Sequence, residues 1–240
     1  MKTWIVLQKD KVEDSSTKIL GFGDSVINGG AVTEHDSLAT SILSDTLSKI
    51  SHSNFQFLNI SAASWGPDNC FAYLKKHGDF NAKRIILFVS SHDAYDNMEF
   101  RKLVGVSTSY PDQQYKLAIY ELLDRYLLPR LFKNYHEELA INETNLVKPF
   151  NPGFESFHQY ALEKQIPFTL YLHAEVSELK EQKYNQEGQD IIKFAKANNI
   201  EIIEDLHQLS LDDYRDHIHL NTKGQRSMAM LVLPSIVLPD

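Results

Sequence analysis

Three runs of strand length in the first hundred residues, each closing on small polar residues and each leading into a helical pattern, constrain this chain most. They are Lys18–Phe22, Phe55–Ile60 and Ile85–Val89. The third is continuously apolar, the mark of a central parallel strand buried on both faces. The first leads to a helix that Asp36 or Ser37 can cap and that runs to about Ser51. Leu38, Ile42, Leu43, Leu47 and Ile50 line one of its faces. The second ends in Ser61-Ala-Ala-Ser-Trp-Gly-Pro-Asp68, small residues and a proline that open another helix. Three strand–loop–helix units in roughly a hundred residues predict a doubly wound α/β sheet. The rhythm returns after residue 150. A helix is expected over Pro152–Lys164, a strand over Phe168–Leu172, a helix over Gln182–Asn198, a short strand over Glu201–Ile203 and a last helix over Thr222–Ile236. Phe100–Phe150 interrupts it with one strong helical pattern, Gln114–Tyr135. The expectation is one domain over 1–240 with a helical insertion at about 100–150. Trp4–Leu7 reads as an extra strand or an arm.

Length and charge exclude some functions. With 240 residues the chain can bury a sizeable core. A net charge of −8 without a basic stripe argues against nucleic acid as a partner. Cys70 is the single cysteine, so neither an intramolecular disulfide nor a cysteine zinc site is expected, and a small buried role fits it best. No run reaches the ~20 apolar residues of a membrane helix. Met1–Gln8 lacks the long apolar core and cleavage site of a signal peptide, which places the chain as written in the cytoplasm.

Two short motifs carry the chemistry. Gly23-Asp24-Ser25 leaves the first strand at the carboxyl edge of the sheet, where open α/β sheets bind ligands. A serine there offers a hydroxyl nucleophile, and its backbone N–H can face an anion. As a tripeptide alone it is equally a common turn. Asp216-His-Ile-His219 precedes the final helix. Its spacing lets the carboxylate accept from one ring nitrogen and leaves the other to take a serine proton.

Together these motifs resemble the SGNH hydrolases, the GDSL esterase/lipase family, over Lys18–Pro234, with Val26 where the family signature has Leu. The resemblance implies a three-layer α/β/α flavodoxin-like domain with a mainly parallel five-stranded sheet. It implies Ser25 as nucleophile, His219 as base and Asp216 as its orienter. It also implies an oxyanion hole of the Ser25 N–H, a backbone N–H near Asn59-Ile-Ser-Ala-Ala-Ser64, and a side chain of the third block. Ser64 stands where the family has Gly, and Gly66 lies two further on, so the second donor is Ser64 or Gly66. In the third block, Ser90-Ser-His-Asp93, His92 replaces the usual Asn; Asn97 is a more distant substitute. Asp24, Trp65 and His173 are candidate substrate contacts, with Asp24 also suited to bonding loop N–H groups. His217 and Glu175 end loops near the same cleft. A metal set of His92, Asp93, His173 and His219 has no compact ligand motif, so neither metal nor cofactor is expected.

The function implied is hydrolysis of short-acyl oxygen esters, with O-acetyl groups on carbohydrate as a lead. An acyltransferase using the same residues is one alternative. A non-catalytic glycan-binding or scaffold protein with a degenerate oxyanion hole is the other.

Overall fold

The computed structural model describes residues 16–98, 104, 111–131 and 148–236. The Trp4–Leu7 reading lies outside them. The chain separates into two compact units: Met1–Met98 with Lys148–Asp240, and Glu99–Val147.

The larger unit is built on five parallel strands: β1 Thr17–Gly23, β2 Phe55–Ser61, β3 Arg84–Ser90, β4 Phe168–His173 and β5 Glu201–Glu204. Their spatial order is β2-β1-β3-β4-β5. The order reverses between β1 and β3, the point at which ligands bind in such sheets. The register brings the ends of the strands level. Gly23 pairs with Ser61, and Ser90 with His173. Residues after β1, β2, β3 and β4 therefore share one rim.

The helices are α1 Ser25–Asn28, α2 Ala39–Ser51, α3 Pro67–His77, α6 Pro152–Lys164, α7 Val176–Glu181, α8 Gln186–Ala197 and α9 Thr222–Ile236. In the smaller unit, α4 Ala118–Leu122 and α5 Leu128–Leu131 flank a π-helical turn, Leu123–Leu127. There the Tyr115 hydroxyl bonds Asp124 and Arg125 pairs with Glu121. The expected helix over Gln114–Tyr135 is thus shorter at its start, and its last residues lie outside the described ones.

Apolar side chains of β1 and β3, such as Leu20, Phe22, Ile86 and Leu87, are wholly buried. Phe22 packs on Phe157 of α6 at 5.1 Å, and Phe157 stacks on Phe168 at 5.8 Å. None of the described helices is long and apolar enough to cross a membrane.

Two elements depart from expectation. Neither Asp36 nor Ser37 caps α2; both belong to a 3-10 turn, His35–Ser37, and the N-cap is Leu38, which has no capping side chain. The donor is satisfied from across the fold instead. Ala39 N–H donates to Gln225 Oε1 at 2.9 Å, and Gln225 Nε2 donates to the Val26 carbonyl at 2.9 Å. The helix expected over Gln182–Asn198 is α8 and begins later, at Gln186, while α7, which the pattern did not show, ends just before that range. Gln182 itself takes φ 54°, a left-handed conformation that ends α7, and Asn185 starts α8 by accepting from Gly188 N–H.

Candidate active site

The β1 strand delivers Ser25 by a tight device. Asp24 is buried and its Oδ1 accepts from Val26 N–H at 2.8 Å, so it caps α1. Asp24 therefore holds the turn that presents its neighbour, rather than facing substrate. Gly29, at φ 73°, closes the same turn in a conformation that favours glycine. Asn59 supports it from β2 by donating to the Ile27 carbonyl at 2.8 Å. Cys70 lies buried beneath, its Sγ 3.8 Å from the Gly23 carbonyl. Burial, first, and then the nearby carboxylates Asp93, Asp24 and Asp68 raise its pKa well above that of a free thiol. The thiol is inert packing, as expected.

The two distant motifs meet. His219 Nε2 lies 2.9 Å from Ser25 Oγ, and His219 Nδ1 lies 2.9 Å and 3.0 Å from the two oxygens of Asp216. Asp216 also accepts from the backbone N–H groups of Ile218 at 3.0 Å and His219 at 2.8 Å. Burial raises its pKa, but those donors and the His219 ring outweigh it and hold the carboxyl well below the ordinary range. Asp216 thus stays an anion, fixes Nδ1 as the protonated nitrogen and leaves Nε2 as an acceptor for the serine proton. Ser25 and His219 are both partly exposed, so a substrate can reach them.

The loop carrying this pair is clamped by the residues after β4. His173 is buried; its Nδ1 lies 2.6 Å from Asp205 Oδ2 and its Nε2 2.8 Å from the Ile218 carbonyl. Both partners are acceptors, so both ring nitrogens donate and the ring is an imidazolium. Burial lowers its pKa, and the Asp205 charge and hydrogen bond more than reverse that. Val176 N–H donates to the His217 carbonyl at 3.0 Å, and Tyr214 hydroxyl to the Ala174 carbonyl at 2.6 Å. His173 is therefore no substrate contact; it anchors the residue beside His219. Reading the sequence missed this clamp, because a histidine ending a strand looks the same whether it faces a cleft or a carbonyl.

The two second-block candidates differ in hydrogen bonding. Gly66 N–H donates to Asn69 Oδ1 at 3.1 Å within the first turn of α3, so it is already committed. Ser64 adopts φ 58°, the left-handed conformation that its Gly counterpart would take freely, and is exposed three residues past the Gly23–Ser61 rung. Trp65 is half-buried against Tyr73, ring centroids 5.9 Å apart.

His92 follows β3, its side chain 42% exposed. Its Nδ1 lies 3.3 Å from Glu175 Oε1 and its Nε2 4.0 Å from Asp93 Oδ1. Asn97 is ruled out as its substitute, since its amide donates to the Tyr95 and Pro149 carbonyls. Asp93 is buried and accepts from Ser90 N–H at 2.7 Å. Burial, and then the charge of Asp24, push its carboxyl up to about 8. Among the described residues, Asp24, His92 and Asp93 are the group whose donor atoms, all within 4.8 Å, suit a cation. The metal set of His92, Asp93, His173 and His219 does not assemble, because His173 and His219 are engaged as above. A cleft of about 360 Å³ at the opposite rim, lined by Ile166, Pro167, Phe168 and Ile200 among others, carries no nucleophile.

No family model and no curated protein matches this sequence. Solved structures match its fold. An acetyl xylan esterase shares 15% identity, covering 92% of this chain and 100% of its own, with a TM-score of 0.57. A lipase/acylhydrolase from Enterococcus faecalis shares 12%, covering 92% and 95%, with a TM-score of 0.53. A lipolytic protein of the G-D-S-L family from Veillonella parvula shares 14%, covering 93% and 100%, with a TM-score of 0.50. The chain therefore has the α/β fold of the GDSL (SGNH) lipolytic proteins.

Proposed function

We propose that the protein is a serine esterase acting on short-acyl oxygen esters, with O-acetyl groups on carbohydrate as the leading substrate class. The observation that carries this is the Ser25–His219–Asp216 hydrogen-bond chain, joined across 194 positions at 2.9 Å. In this reading His219 Nε2 takes the Ser25 proton as Oγ attacks the ester carbonyl. Asp216 stabilises the resulting imidazolium without taking its proton. The oxyanion rests on the N–H of Ser25, which as the first residue of α1 has no intrahelical acceptor, on Ser64 N–H, and on His92. His219 then protonates the leaving alcohol, and it activates water against the acyl-enzyme.

Support for a small acyl group is the acetyl xylan esterase among the fold neighbours. The ordered triad favours catalysis over a scaffold role. The test is turnover. Wild-type protein should hydrolyse p-nitrophenyl acetate faster than its long-chain homologues and release acetate from acetylated xylo-oligosaccharide. Ser25→Ala and His219→Ala should each lose at least about a thousandfold. Retained turnover in either defeats the reading. Acyl transfer to an added sugar in preference to water would make the protein a transferase instead.

A further inference from the structure

His92 stands among three carboxylates from three different elements. Glu175 comes from the loop between β4 and α7, Asp93 from the 3-10 turn after β3, and Asp24 from the turn between β1 and α1. Glu175 faces one ring nitrogen directly, at 3.3 Å from Nδ1. Nε2 lies 4.0 Å from Asp93 Oδ1, beyond hydrogen-bond distance, on a side chain 42% exposed. An amide at this position would present a neutral dipole to the reacting carbonyl. A neutral imidazole with Nδ1–H on Glu175 would present a lone pair there and repel an oxyanion. Only the doubly protonated ring donates from both nitrogens.

We propose that Glu175 is a positioning residue that holds His92 as an imidazolium with its Nε2–H aimed at the oxyanion, so that this site stabilises the tetrahedral intermediate with a full charge. The inference rests on the esterase reading above. His92 keeps its proton throughout; it donates a hydrogen bond and transfers nothing.

The surroundings agree. The Glu175 hydrogen bond, followed by the Asp93, Asp24 and Glu175 charges, raises His92 to about 9 against the opposing effect of burial. Glu175 is itself lowered, first by its bond to His92. The neighbouring acids of α7 and α8 are otherwise occupied. Glu178 accepts from Ser91 Oγ at 2.6 Å, and Asp190 from Tyr95 Oη at 2.8 Å. His217 and His173 act on Glu175, and His173 and His219 on Asp24.

The experiment is the pH profile of kcat for p-nitrophenyl acetate in wild-type, Glu175→Gln and His92→Asn proteins. Wild-type should lose activity in alkali with a midpoint near the His92 value of about 9. Glu175→Gln should move that midpoint acidward by at least about one unit, with KM little changed, because an ordinary histidine titrates near 6.5. His92→Asn should keep measurable kcat and lose the alkaline limb, since an amide does not titrate. His92→Ala should lose about a hundredfold to a thousandfold, the range for one oxyanion donor. An alkaline limb unmoved in both Glu175→Gln and His92→Asn overturns the inference. Ring nitrogen NMR on Ser25→Ala protein gives a readout independent of turnover. Both His92 nitrogens should be protonated at pH 8, and a single protonated nitrogen overturns it. Activity removed by chelation and restored by zinc or manganese would give the cluster to a metal and overturn it equally. Turnover surviving in Ser25→Ala would instead defeat the esterase reading beneath.

Discussion

Ser64 is where a residue's own conformational limits matter most. A non-glycine residue in the left-handed region is held there at a penalty of roughly 1 kcal/mol. Ser64→Gly would relieve that strain but add unfolded-chain entropy worth about 0.4–1 kcal/mol. The two nearly cancel, so denaturant melts should place that variant within about 0.5 kcal/mol of wild type with activity kept. Ser64→Val should lose more than about 1 kcal/mol, because a β-branched side chain fits that region worst. At Asp216, Asp216→Asn should lower kcat by about a hundredfold to ten-thousandfold with KM little changed, since the amide can favour the wrong His219 tautomer. Ser25, His219 and Asp216, the residues of the proposed triad, were legible in the sequence because each lies in a short local motif. The loop N–H bonding to which Asp24 was suited is met two residues on, at Val26, whereas His173 read as a substrate contact because its partner, the Ile218 carbonyl, lies 45 positions away.

Among the elements, β4 does more than fill the sheet. Its end and the following loop clamp the Asp216–His219 loop through His173, Val176 and Ala174, while Glu175 reaches His92. Truncating His173 to Ala leaves Asp205 buried beside Tyr171 without its cation. The expected loss is about 3–5 kcal/mol in chemical denaturation, with kcat falling more than KM rises as the His219 loop loosens. Gln225 plays the comparable part for α2. Gln225→Ala should destabilise by at least about 1–3 kcal/mol, since Ala39 N–H and the Val26 carbonyl are left unpaired in a buried place. The cap misread at Asp36 has the same origin. Periodicity located the helix, but its first donor is met by a glutamine 186 positions on, which no local pattern can show. The late start of the helix expected from Gln182 follows from that residue's left-handed conformation as the cap of α7, and composition gives no warning of it.

For the molecule as a whole, the five strands and their parallel pairing are what the sequence pattern conveyed, because strands buried on both faces read as apolar runs, while their order came only with the structure. The network of protons is a property of the assembled rim. Asp24, Asp93, His92 and His173 are all raised above their ordinary values. Each binds its proton more tightly when folded, so its stabilisation is full below the unfolded value and is lost as pH rises through the folded one. For Asp93 that window runs from about pH 4 to about 8, and for His92 from about 6.5 to about 9. Asp216 and Glu175 are lowered, and their stabilisation is lost only in stronger acid. Thermal melts should therefore show the highest Tm in mild acid and a steady fall towards pH 9, and Asp93→Asn should flatten that fall. A Tm that climbs from pH 5 to pH 9 would contradict this proton inventory. Activation of Ser25 by His219 is tested most directly by covalent labelling with a fluorophosphonate, mapped by peptide mass. The adduct should appear on Ser25 in wild-type protein and be nearly absent in His219→Ala; an adduct on another residue, or equal labelling of both proteins, would contradict the claim.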